Sequence, residues 1–139
     1  METTPTTSTA ATLVELHVPD FIPIFEFYGI LGFSKIREES NYLVMSRKSC
    51  LINFFGGSTD VYAHSYFSQF PRESPRGYGV EIVLFEEKIK DFYQQLQGKI
   101  AILTELRLRP WGAYDFRISD PFGYYLRFSE PYDNLLQSA

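Results

Sequence analysis

The stretch FIPIFEFYGIL (Phe21–Leu31) decides the fold, because its apolar pattern occurs twice in the chain. The pattern has the i, i+3, i+4, i+7 spacing of a helix with one apolar face, carried by Ile24, Phe27, Tyr28 and Leu31. In IKDFYQQL (Ile89–Leu96) the same spacing returns 65 positions later, carried by Ile89, Phe92, Tyr93 and Leu96. A helix stripe that recurs with its Phe-Tyr pair indicates an internal repeat.

Runs typical of β-strands surround each of these helices in the same order. One run precedes each helix, Leu13–Val18 and Val80–Phe85, and three follow it. The following runs are Phe33–Glu38, Tyr42–Arg47 and Cys50–Phe55 in the first copy, and Ile100–Leu106, Tyr114–Ser119 and Tyr124–Ser129 in the second. The sequence therefore predicts an α+β fold of two βαβββ modules, which form a curved, cup-like mixed sheet around a cavity.

The repeat also sets the expected domain organisation. We predict a single domain over residues 12–131, with modules at 12–57 and 79–131 joined by a linker at 58–78. The polar start METTPTTSTAA (residues 1–11) is typical of a flexible arm, and residues 132–139 form a C-terminal tail.

Composition narrows the class of partner. The formal charge of −4 argues against nucleic acid and anionic membranes, which require a basic surface, and favours cationic or neutral ligands. Aromatic residues are 17% of the chain, so some are expected at a ligand cavity or subunit interface. A single cysteine, no signal-peptide pattern and no long apolar run together predict a cytoplasmic protein.

Alternation along the strands indicates which side chains face away from the helices and towards the predicted cavity. This set comprises Leu13, Glu15, His17, Leu51, Asn53, Phe55, Glu81, Val83, Phe85, Tyr125 and Arg127. Either charge of Glu81 and Arg127 would be costly alone in a partly desolvated cavity, so we expect the two to pair.

The order of motifs resembles the vicinal oxygen chelate superfamily over about residues 13 to 131. The motifs are VPDFIPIFEFYGILGFSKI (Val18–Ile36), LINFF (Leu51–Phe55), PWG (Pro110–Gly112) and DPFGYYLRF (Asp120–Phe128). Among glyoxalases, bleomycin resistance proteins and dioxygenases, the chain is most similar to the bleomycin-resistance branch. That branch works without a metal, as a homodimer that sequesters its ligand in a groove between subunits.

The resemblance places the superfamily's metal-ligand positions at Leu13, Asn53, Glu81 and Arg127. Leu13 has no donor atom, and Arg127 would put a permanent cation where a cation should bind. We therefore expect no metal, no cofactor and no catalytic residue.

The resemblance also implies a ligand-binding set of Phe33, Tyr42, Asn53, Glu81, Trp111 and Arg127. Trp111 of the PWG motif would stack on a planar, aromatic or cationic ligand. The expected function is thus a non-enzymatic homodimeric binding protein for a small molecule, such as a bleomycin-like antibiotic, with a role in antibiotic resistance.

A second hypothesis is a metal-dependent lyase, isomerase or extradiol-type dioxygenase with rearranged ligands. Its metal, which would be iron, manganese, nickel or zinc, would bind Glu15, His17 and Glu81. Whether the chain is an enzyme depends on which of the two hypotheses holds.

Overall fold

The computed structural model describes residues 12–132 and divides the chain into two compact units, with the boundary between Ser74 and Pro75. We call residues 12–74 the first module and residues 75–132 the second module. The predicted arm (1–11) lies outside the described residues, as does all of the predicted tail except Tyr132. Within residues 12–132, no helix has the length and hydropathy needed to cross a bilayer.

The first module contains one helix and four strands. They are β1 (Val14–Val18), α1 (Phe21–Ile30), β2 (Ser34–Glu39), β3 (Tyr42–Arg47) and β4 (Cys50–Gly56). The strand order is β1-β4-β3-β2, with β1 parallel to β4 and the other pairs antiparallel. Two short 3₁₀ helices follow, at Thr59–Ala63 and Phe67–Gln69, in the segment that we predicted only as a linker.

The second module repeats this arrangement. Its elements are β5 (Glu81–Phe85), α2 (Ile89–Leu96), β6 (Thr104–Leu108), β7 (Tyr114–Ser119) and β8 (Tyr125–Ser129). The order β5-β8-β7-β6, with β5 parallel to β8, matches the first module strand for strand. The predicted α+β class and the paired βαβββ pattern are therefore confirmed, as two open four-stranded mixed sheets, while a common cup around a cavity stays a prediction.

Local chemistry explains where the helix and the hairpin turn begin. Asp20 caps α1, because its Oδ1 accepts a hydrogen bond from the backbone N–H of Ile22 at 3.0 Å. In the DPFG turn, Oδ1 of Asp120 accepts from the N–H groups of Phe122 and Tyr124 at 2.8 and 3.0 Å. In both places the carboxylate accepts hydrogen bonds from backbone N–H groups that the local backbone would otherwise leave without a partner.

In each module the repeated helix stripe packs against one face of its sheet. Tyr28 of α1 is fully buried with its ring centroid 5.0 Å from that of Phe54. Phe92 of α2 lies 4.9 Å from Phe128 and 6.1 Å from Phe116. Burying aromatic rings of this size contributes about 2–3 kcal/mol each, which makes these contacts the main apolar support of each sheet.

The second strand-like run of the second module differs from its prediction. We expected a strand from Ile100, whereas β6 begins at Thr104. The N–H groups of Lys99 and Ile100 both donate to the carbonyl oxygen of Leu96, at 3.0 and 3.3 Å. The end of α2 therefore takes up the N–H group of Ile100, the residue at which the predicted strand would begin.

We predict that Gly56→Ala destabilises the protein by about 3–5 kcal/mol. Gly56 has φ of 121°, and an added Cβ would overlap the carbonyl oxygen of Val18 on β1. Gly98→Ala is the matched control, because Gly98 has φ of 80° with no atom near an added Cβ and should cost only about 1–2 kcal/mol of strain. Urea unfolding of both variants measures the difference, and equal losses would contradict the packing argument.

Candidate functional site

The face of the second module opposite α2 is charged. Strand alternation places Phe116 and Phe128 on the helix side, where both rings contact Phe92. The neighbouring positions on the same strands, Asp115, Arg117 and Arg127, therefore lie on the other face. We call this group, together with Glu81 and Arg109, the arginine cluster.

Asp115 is the centre of the arginine cluster and is fully buried. Its Oδ1 accepts from Nε of Arg109 at 2.6 Å and lies 3.4 Å from Nη1 of Arg117. Its Oδ2 accepts from Nη1 of Arg127 at 3.2 Å. One buried carboxylate thus holds three guanidinium groups in place.

Glu81 is the second carboxylate of the cluster and sits between two arginines. Its Oε2 lies 3.3 Å from Nε of Arg127, so the pair that we predicted from strand alternation is confirmed. The shorter contact, at 2.9 Å, comes from Nε of Arg117. Arg109, Asp115 and Arg117 were missed, although the alternation of YDFRIS (Tyr114–Ser119) marks Asp115 and Arg117 as polar positions on one face.

The electrostatics of the cluster favour the charged form of Arg117. Burial by itself lowers the pKa of Arg117, but the hydrogen bond to Glu81 and the charges of Asp115 and Glu81 outweigh burial and raise that pKa. The side chains of Arg109, Arg117 and Arg127 are only 13–17% exposed. The face therefore presents fixed, partly desolvated cations.

Trp111 lies beside the cluster on the loop between β6 and β7. The loop is closed by two backbone hydrogen bonds of 2.9 Å, from Arg109 N–H to the Ala113 carbonyl and from Gly112 N–H to the Arg109 carbonyl. The Trp111 ring is 49% exposed, and its centroid is 5.7 Å from the guanidinium carbon of Arg127. This geometry leaves half of a large planar side chain open to a partner.

The first module carries a smaller polar network on the corresponding strands. Tyr42 donates its hydroxyl hydrogen to Oε1 of Glu15 at 2.9 Å and accepts from Nδ2 of Asn53 at 2.9 Å. Burial raises the pKa of the Tyr42 hydroxyl, and the charge of Glu15 acts in the same direction. Within residues 12–132, the buried Oδ1 of Asn53 has no hydrogen-bond partner.

His17 lies at the edge of this network, next to the 3₁₀ segment. Its Nε2 is 3.4 Å from Oε2 of Glu15, and its ring is 5.1 Å from the rings of His64 and Phe67. His64 accepts hydrogen bonds at Nδ1 from the N–H groups of Tyr66 and Phe67, at 3.0 and 3.1 Å. A cavity of about 240 Å³ lies between this segment and the end of β4, lined by Asn41, Phe55, Gly56, Ser58, Asp60, Val61 and His64.

The structure places the sequence-predicted ligand residues in three different settings. Tyr42 and Asn53 share the polar network of the first module. Glu81 and Arg127 belong to the arginine cluster of the second module, and Trp111 lies beside that cluster. Phe33 is apart from both, because it is 5% exposed and its ring packs edge-on against Tyr28 of α1 at 5.3 Å. Contact with a ligand stays a prediction for all six residues.

The residues at the superfamily's metal positions do not fit a metal ion. Leu13 offers only hydrocarbon, and both Arg117 and Arg127 approach the Glu81 oxygen that a metal would need. Of the alternative set, Glu15 and His17 lie together, whereas Glu81 is held by arginines of its own module. In the part of the chain that the structure describes, no group of three or more His, Cys, Asp or Glu side chains is arranged to hold a metal.

The sequence matches no protein-family model and no curated protein. Its fold is similar to that of several solved structures. A bleomycin-binding protein complexed with bleomycin is 19% identical, with a TM-score of 0.63, over 88% of this chain and 99% of that chain. A bleomycin resistance determinant encoded on the transposon Tn5 is 21% identical, with a TM-score of 0.62, over 87% of this chain and 97% of that one.

A third similar structure is a member of the glyoxalase/bleomycin resistance protein/dioxygenase superfamily from Sphaerobacter thermophilus. It is 19% identical, with a TM-score of 0.62, over 88% of this chain and 99% of that chain. Structural similarity at about 20% sequence identity shows that the fold is shared. The chain has the fold of the vicinal oxygen chelate superfamily, as the sequence resemblance implied.

We predict that Asp115→Asn destabilises the protein by about 3–5 kcal/mol, because it leaves partly buried arginines without their central carboxylate. Glu105→Gln is the control, since Glu105 and its partner Arg107 are 59% and 61% exposed and the pair should be worth less than about 1 kcal/mol. The free energy of unfolding in urea is the measurement. An Asp115→Asn loss as small as that of the control would show that the cluster is solvated.

Proposed function

We propose that this protein is a non-enzymatic binding protein, which sequesters a small aromatic molecule in a groove formed with a second copy of the chain. The observation that carries the proposal is Trp111, a half-exposed ring held by a closed loop beside the arginine cluster. An exposed large aromatic surface next to fixed polar groups is typical of a site that captures a planar ligand.

The chemistry of the site favours capture over turnover. A divalent metal needs carboxylate or imidazole lone pairs, but Glu81 already faces two guanidinium groups and Asp115 three. Arginine stays protonated and cannot act as a base at neutral pH. The arginine cluster thus offers charged groups that can position a ligand, and Trp111 offers a surface on which a ring can stack.

The solved structures with this fold support a ligand of the antibiotic class. One of them is a bleomycin-binding protein with bleomycin bound, and another is a bleomycin resistance determinant. We therefore include bleomycin-like molecules among the candidate ligands, and resistance to such a compound as the role. The formal charge of −4 keeps ligands that also carry a cationic group among the candidates.

Light scattering in solution is the direct test of the second copy. We expect a mass of about twice the 16.1 kDa of one chain. Large apolar side chains that remain exposed in a single chain support this expectation, among them Ile22, Phe25 and Ile36 at 67%, 47% and 49%. A monomer at all concentrations would remove the shared groove from the proposal.

We predict that Trp111→Ala weakens aromatic-ligand binding by about tenfold or more and costs about 1 kcal/mol or less of stability. The ring is half exposed, so its truncation removes a ligand surface rather than core packing. Bleomycin and a panel of planar aromatic compounds would be titrated by calorimetry against both proteins. Tyr78→Ala is the matched control, because Tyr78 is an aromatic residue of the same module that is 87% exposed.

Two results would contradict this assignment. Equal binding by the Trp111→Ala variant would exclude Trp111 as the ligand contact. Stoichiometric iron, manganese, nickel or zinc in protein purified without a His-tag would favour the metal-dependent enzyme instead. Turnover of substrates by the metal-loaded protein would then be the measurement that decides.

A further inference from the structure

Arg117 and Arg127 form an unusual pair within the cluster. They are directly opposite each other in the register of β7 and β8. Like charges at opposite positions of neighbouring strands repel and destabilise a sheet. Here the two guanidinium groups are held side by side because each also contacts both Asp115 and Glu81.

The carboxylates of the cluster do not balance its cations. Three arginines face two carboxylates, so the group carries one excess positive charge at neutral pH. Their side chains are 13–17% exposed, and an excess charge that is partly desolvated is costly unless a counter-ion approaches. An anion that approached the cluster would therefore stabilise it.

Hydrogen-bond donors are in excess as well. Three guanidinium groups bring about fifteen N–H donors, whereas two carboxylates offer about eight lone pairs. Arg109 directs some of its donors to the backbone carbonyls of Glu105 and Asp115. Within residues 12–132, the buried Nε of Arg127 has no acceptor in good hydrogen-bond geometry, although Glu81 is 3.3 Å away. The pair thus has donors left for a further acceptor.

From this charge and donor excess, we infer that the Arg117–Arg127 pair binds an oxyanion of the ligand whose ring stacks on Trp111. Carboxylate, sulfonate and phosphate groups share the required chemistry, because their oxygens match the planar fork of arginine. Trp111 approaches Arg127 to 5.7 Å, which is close enough for one small molecule to contact both. The inference rests on the proposed binding function and names the group that the ligand presents to the second module.

The net charge of the protein does not oppose this inference. The chain carries a formal charge of −4, but at physiological salt exposed charges are screened over about 8 Å. The three arginines are partly buried, and all three contact Asp115. Salt therefore screens their local field less than it screens the exposed charges. The local excess therefore decides which group binds at this face.

A matched series of naphthalene probes separates the charge from the ring. The series is naphthalene-2-carboxylate, naphthalene-2-sulfonate, naphthalene-2-carboxamide and 2-naphthylmethylammonium. Calorimetry gives the affinities, and the single indole N–H signal in ¹H–¹⁵N spectra reports contact with the only Trp of the chain. We expect the two anions to bind about tenfold or more tighter than the amide, and the ammonium probe to bind weakest.

Two variants test the arginine pair. Arg127→Gln brings the cluster to neutrality while Arg117 still serves Glu81 and Asp115, so we expect the preference for the anions to fall to about twofold or less. Arg107→Gln removes one positive charge from an exposed pair of the same module and should keep the preference. Inorganic sulfate, titrated alone, should shift the arginine Nε–H signals of the wild-type protein and compete with the carboxylate probe.

The outcomes distinguish this inference from the function on which it rests. If the amide and ammonium probes bind as tightly as the anions, and Trp111 responds to all, the aromatic binding function stands and the oxyanion site is wrong. If no naphthalene probe shifts the indole signal, the aromatic function fails. If sulfate shifts the arginine signals but no naphthalene probe binds, only the anion site is supported. If neither sulfate nor any probe changes a signal, the arginine cluster is an ion-pair network with only a structural role. The comparison of the four probes on the wild-type protein remains valid even if a variant fails to fold.

Discussion

The fold depends on one constraint that both modules share. Each module has a single α-helix, but its sheet has two faces. Tyr28 of α1 and Phe92 of α2 cover one face with aromatic contacts. The other face receives no α-helix from its own module, so the side chains there must satisfy each other or a partner. This division separates the residues that support the fold from those that can bind a ligand.

The two modules meet this constraint with different chemistry. In the first, a neutral donor chain runs from Asn53 through Tyr42 to Glu15, and it ends on a carboxylate. In the second, the buried carboxylate of Asp115 gathers three arginines, and the result is an excess of cations and donors. The same backbone pattern therefore presents acceptors on one module and donors on the other.

Much of this organisation was readable from the sequence. Hydrophobic periodicity predicted both helices, seven strands to within two residues and the repeat, because the pleat and the helix turn fix which positions are apolar. The same alternation placed Glu81 and Arg127 on one face, and their contact follows from it. β6 was placed too early because the end of α2 competes for its backbone donors.

The details of the cluster needed the structure. Alternation states which face a side chain occupies but not how far it reaches, and Arg109 comes to Asp115 from the end of β6. Register also matters, since Arg117 and Arg127 become opposite neighbours only when β7 and β8 pair. The conformation of the loop that holds Trp111 depends on backbone hydrogen bonds that PWG alone does not specify.

The sequence resemblance places a metal-ligand position at Arg127, and a guanidinium group there changes what the face can do. A metal accepts lone pairs at one point and polarises the bound group, which promotes reaction. Guanidinium groups donate several hydrogen bonds in a plane and spread their charge, so they hold an oxyanion without activating it strongly. Exchanging a Lewis acid for a donor surface converts a reaction centre into a recognition surface, and this is the physical reason for our preference for capture over catalysis on this fold.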